Sequence, residues 1–100
     1  MKPIAKMLAV GLLSASALAA HAQVNEVRVW AAACATCHGT AGRAVPGMDP
    51  LAGKPANEIE RKMLDFKNGR RPATIMHQLA KGYTDEQIAA IAAYFAAQKP

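Results

Sequence analysis

One hundred residues are enough for one domain, and their two cysteines, Cys34 and Cys37, allow at most one disulfide. The formal net charge is +5, but no basic run is denser than the pair Arg70-Arg71, which argues against a nucleic-acid interface. Five aromatic residues (Trp30, Phe66, Tyr83, Tyr94 and Phe95) make a thin core for a chain that small domains of this size usually staple with a cross-link or a metal.

The chain opens on an export signal. Lys2 and Lys6 precede an apolar, small-residue run from Met7 to Ala20, and Ala20-His21-Ala22 has the small-x-small form of a cleavage site. The run is too short to span a bilayer at about 20 residues, so a stable membrane anchor is not expected. Residues 1–22 are therefore read as a cleaved secretory signal and 23–100 as the mature domain, destined for the periplasm. Removing the signal leaves ten basic and seven acidic side chains, a net charge of about +3. That suits docking to an acidic partner.

Apolar residues at Val24, Val27, Trp30, Ala31 and Cys34 predict a first helix over 24–35, with Asn25 as its N-cap. Gly39 then stops it. "GTAGRAVPGMDPLAGKP", residues 39–55, carries four glycines and three prolines and reads as a long loop of the functional kind. Asn57 is the expected cap of a second helix, whose face is Ile59, Met63 and Phe66 and whose end is Asn68-Gly69. Residues 70–83 form another connection, with a short helical turn over 74–80. Thr84 and Gln87 then match a capping box, and Ile88, Ile91, Ala92 and Phe95 share one face of a last helix. No alternating strand pattern or internal repeat occurs, so the class is all-α, with three main helices and long loops.

Residues 34–38 read "CATCH". C-x-x-C-H is the attachment motif of c-type haem. Thiols at i and i+3 lie near one side of a helical turn, where they can form thioethers with two vinyl groups on one porphyrin edge, and the adjacent imidazole can bind iron. A disulfide is the competing reading for an exported protein. A thioredoxin-like pair lacks its βαβ context, and a zinc site is short of ligands. The missing core favours haem. For a second axial ligand the mature chain offers Met48, Met63, Met76 and His77. Met63 is explained by its helix face, and Met48 returns awkwardly soon after His38. Met76 is therefore preferred, with His77 a competing neighbour. An open or displaceable sixth position, as in a haem enzyme or gas sensor, is the alternative.

The helix ending in CATCH, a loop with Pro46, a distal Met76 and a closing C-terminal helix resemble class I cytochromes c. Within these, "CATCHGTAG", "LAGKP" and "FKNGRRPATIMHQLAKGYTDEQIAAIAAYFA" are similar to the haem subunits of flavocytochrome c sulfide dehydrogenases, over about Ala33 to Ala97. The resemblance implies a small class I fold wrapped around one haem c, held covalently by Cys34 and Cys37 with His38 and Met76 as iron ligands. It places Pro46 near the histidine ring, where a backbone carbonyl would fix the imidazole tautomer. It implies an electron carrier rather than an enzyme. The partner would be a sulfide-oxidising flavoprotein subunit or another redox protein, with a free shuttle to a terminal oxidase as the alternative. One C-x-x-C-H means one haem, unlike two-haem relatives, and Lys54 stands where such relatives often have glutamine. Val45, Leu51, Met63, Phe66, Leu79, Ile88 and Ile91 are expected around the haem. Arg43, Lys54, Lys67, Arg70 and Arg71 are candidates for its propionates or a docking face.

Overall fold

The computed structural model describes residues 25–100. The expected export segment, residues 1–22, lies outside them. Among the described residues five α-helices follow one another: α1 (Glu26–Ala32), α2 (Ala35–His38), α3 (Ala56–Lys67), α4 (Met76–Lys81) and α5 (Asp85–Ala96), with a 3₁₀ turn at Thr40–Gly42. No strand occurs among the described residues.

Local chemistry explains most of the boundaries. Asn25 caps α1 by accepting from the Arg28 N–H. The expected first helix nevertheless ends early. Cys34 N–H bonds to Ala31 O, three residues back, so the coil tightens and α2 restarts as a single turn. Pro55, not Asn57, is the N-cap of α3, and its carbonyl accepts from the Glu58 and Ile59 N–H groups. Proline's preset φ and the good helix former Ala56 start the helix two residues sooner than a side-chain cap at Asn57 would. α3 ends as expected at Asn68-Gly69: Gly69 takes φ +74, its N–H bonds to Phe66 O, and the Arg70 N–H bonds to Asp65 O. The capping box of α5 is complete, with Thr84 Oγ1 accepting from the Gln87 N–H and Gln87 Oε1 from the Thr84 N–H.

α1 and α3 pack on α5, and α4 packs on α3. One buried cluster joins Ala31, Ile59, Ile91, Ala92 and Phe95; the other joins Met63, Ala80 and Ile88. Tyr83 packs against both. Alanine at 31 and 92 keeps the side chains between α1 and α5 small, which lets helices approach closely. The loop after α2 is held to this core from below. Gly42 O accepts from the Leu51 and Ala52 N–H groups, and Gly53 N–H bonds to Phe95 O.

Gly42 sits at φ +78, and a Cβ there would lie 2.8 Å from Phe95 Cδ1 and 2.9 Å from Ala52 N. Gly69 also has positive φ, but nothing lies within 4 Å of its Cβ direction. Gly69→Ala should therefore cost only the left-handed backbone, about 1–2 kcal/mol. Gly42→Ala should add overpacking, for a total of about 2–5 kcal/mol. Denaturant midpoints of the two variants measure the difference, and equal midpoints would remove the packing argument.

Candidate functional site

The single turn of α2 builds one side of the site. The Cys37 and His38 N–H groups both bond to Cys34 O, at 3.3 and 2.9 Å. This winds the two thiols and the imidazole into one helical turn. All three residues line a single cavity of about 520 Å³, within the size range of cofactor pockets. The two thiols are not joined to each other. Burial pushes the Cys34 thiol above its ordinary pKa, and Tyr83, which also lines the cavity, is likewise raised, by burial first and then by Cys34.

His38 Nδ1 lies 2.6 Å from Asp49 O. A carbonyl can only accept, so Nδ1 carries the proton and Nε2 is left with a lone pair. The sequence expectation placed this support near Pro46; the acceptor is three residues further on. Pro50 follows it and biases Asp49 to extended backbone, which aims the carbonyl off the loop.

Met76 is the first residue of α4, lines the cavity and packs on the Met63–Ala80–Ile88 cluster. Met48 and Met63 reach the same cavity, Met48 from the exposed loop and Met63 from the buried face of α3. His77 does not line it, and its buried Nδ1 has no hydrogen-bond partner. Leu51, Phe66, Leu79 and Ile91 join Met63 in the apolar wall as expected. Ile88 is fully buried behind it. Val45 is a correction: a turn closed by Met48 N–H to Val45 O leaves it 67% exposed and off the wall.

The candidate cations separate clearly. Arg43 Nε donates to Lys99 O, and Lys67 Nζ donates to Tyr83 O and Asp85. Arg70 is exposed and away from the cavity, whereas Lys54 and Arg71 line it. The Arg71 guanidinium lies 5.8 Å from the centroid of the Phe66 ring, and its buried Nε has no protein partner. Lys62, absent from the expected set, also lines the cavity while paired to Glu58 at 3.0 Å.

This donor set suits a flat apolar group that carries a metal and an anionic edge. Two adjacent thiols, an imidazole with its tautomer set, thioethers within an apolar wall and an unpaired buried guanidinium N–H all face one space. A haem c fits these residues. Sequence reasoning missed Asp49, Lys62 and Tyr83. Only Asp49 had a local signal, the following proline.

A family model described as "Cytochrome C oxidase, cbb3-type, subunit III" matches residues 24–95. The cytochrome subunit of sulfide dehydrogenase from Chlorobaculum tepidum is 48% identical over 62 residues, which are 62% of this chain and 56% of that protein. The thiosulfate dehydrogenase electron acceptor of Thiomonas intermedia is 34% identical over 98% of this chain and 46% of its own length. The chain thus spans about half the length of these two relatives. A solved cytochrome c4 from Acidithiobacillus ferrooxidans superposes with a TM-score of 0.60 at 36% identity, covering 63% of this chain and 37% of that one. The chain belongs to this cytochrome c family, with the all-α class I fold and a covalently bound haem c.

Proposed function

We propose that Cys34 and Cys37 would tether the haem through thioethers, that His38 Nε2 and the Met76 thioether would hold its iron, and that the domain accepts electrons from a sulfide-oxidising flavoprotein in the periplasm. The observation that carries the ligand assignment is the bond from His38 Nδ1 to Asp49 O, because it presents Nε2 as a lone-pair donor in a cavity shared with both thiols and Met76. The haem supplies a one-electron iron couple, and a thioether ligand favours its reduced form. The chain's own residues do the rest. Asp49 holds the imidazole orientation, the apolar wall of Leu51, Met63, Phe66, Leu79 and Ile91 keeps water out, and Arg71 offers its unpaired Nε–H to a propionate.

With His38 and Met76 both holding the iron, the haem would pass one electron with little rearrangement. The similarity to a cytochrome subunit of sulfide dehydrogenase supports the sulfide-oxidising partner. The description of the matching family supports a second reading, a carrier that delivers to a terminal oxidase. Export rests on the segment 1–22. Among the described residues no helix is long and apolar enough to cross a membrane.

Three outcomes test these assignments. Met76→Ala should abolish the charge-transfer absorption of a sulfur–iron bond, lower the midpoint potential and let the reduced protein bind carbon monoxide rapidly, while His77→Ala changes none of these. Survival of the sulfur band in Met76→Ala would transfer the ligand role to Met48 or Met63. Arg71→Met, which keeps the stem on Phe66 but removes the charge, should lower the potential by about 59 mV if charge loss favours the oxidised form tenfold. An unchanged potential detaches Arg71 from the haem. Finally, a purified sulfide-oxidising flavoprotein should reduce this cytochrome in a sulfide-dependent manner. Reduction only through other donors, with rapid delivery to an oxidase, selects the shuttle.

A further inference from the structure

We infer that Lys67 is a positioning residue for the distal ligand: by closing the neck of the segment that carries Met76, it sets how firmly the thioether stays on iron. This rests on the assignment of Met76 above.

Lys67 is the last residue of α3, and its Nζ makes two bonds of 2.8 Å, one to Tyr83 O and one to Asp85 Oδ1. Tyr83 lies just beyond α4, and Asp85 is the first residue of α5. One ammonium therefore joins the two ends of the connection from α3 to α5. Met76 lies near the middle of that connection, nine residues after Lys67 and seven before Tyr83. The charges also sit where the helices favour them, a cation at the C-terminus of α3 and an acid at the N-terminus of α5. Lys67 is three-quarters buried along its side chain, while Asp85 is 70% exposed. The carbonyl bond is therefore the better shielded half of the staple, and the ion pair alone would contribute little.

The rest of the segment is weakly held. Its entry is fixed by the Asp65 carbonyl, which accepts from the Arg70 and Arg71 N–H groups. α4 has six residues and is anchored by Ala80, which is fully buried, while Ile75 and Leu79 are 56% and 47% exposed. A short helix with one fully buried residue, held otherwise by the packing of Met76 and Tyr83, opens locally at lower cost than the whole domain unfolds. Releasing the neck enlarges the set of open conformations in which Met76 is off the metal. The capping box of α5 does not involve Lys67, so that helix keeps its start.

The test uses the haem-loaded protein. Lys67→Met should raise the carbon monoxide association rate of the reduced form and the imidazole affinity of the oxidised form by roughly tenfold, the lower end of what a charge-assisted bond supplies. Asp85→Asn, which keeps the Tyr83 bond, should give a smaller increase. Arg61→Met, an exposed change on the same helix, serves as the control and should give none. Helical circular dichroism and thermal midpoint identify a variant that has lost its fold, in which case Asp85→Asn alone decides. Ligand binding in the Lys67 and Asp85 variants equal to that of Arg61→Met overturns the staple. Met76→Ala run beside them separates the two ideas: if it leaves the sulfur–iron band intact, the ligand assignment fails and the staple falls with it, and if it removes the band while the Lys67 variant behaves as wild type, only the staple fails.

Discussion

The bond from His38 Nδ1 to the Asp49 carbonyl spans eleven positions, and much of the chain from Gly39 to Pro55 is arranged to hold its acceptor still. A ligating imidazole needs its second nitrogen occupied, or the ring turns and the tautomer is undefined. Here the partner is a backbone atom, which cannot rotate away as a side chain can. Gly42 O pins Leu51 and Ala52 just past Pro50, and Gly53 is tied to Phe95 at the end of α5. The C-terminal helix is thus part of the histidine's support although it contributes no ligand.

That arrangement also explains how so few large residues suffice. The two buried clusters contain one aromatic side chain, Phe95, and several alanines. Such cores close helices on one another but leave a broad apolar wall facing the cavity. A covalently bound haem acts as core and cross-link together, the role that disulfides or metals fill in other small domains. The unpaired Nε of Arg71, stacked by its guanidinium on Phe66, belongs to the same logic: it is costly without an anion and favourable with one.

What could be read from the sequence was what depends on neighbours three or four residues apart. The caps at Asn25 and Thr84, the Asn68-Gly69 stop and the faces of α3 and α5 are all of this kind, and so is the CATCH turn. Pro55 displaced Asn57 as a cap because a preset φ competed with a side-chain bond two residues later. The longer-range features were not legible. Pro50 hints at an extended Asp49, but nothing local makes Asp49 the partner of His38, turns Val45 outward, or distinguishes Lys67 and Arg43, which bond to distant carbonyls, from Arg71, which keeps a donor free. Five cations that look interchangeable in sequence have different jobs because the fold brings different acceptors to them.

With His38 and Met76 as the proposed ligands, the two sides of the iron would be supported unequally. On the histidine side, support comes from backbone bonds distributed along one loop and anchored to the end of α5. On the methionine side, one short helix with a single fully buried anchor is closed at its neck by one flexible side chain. Histidine is a strong ligand that must not move, whereas a thioether is a weak one whose hold depends on the chain that carries it. Changes in the distal segment would then tune potential and ligand lability more than the fold. In a carrier that must fit its potential to a donor and an acceptor, that asymmetry separates the part of the site that defines haem attachment from the part that can be adjusted.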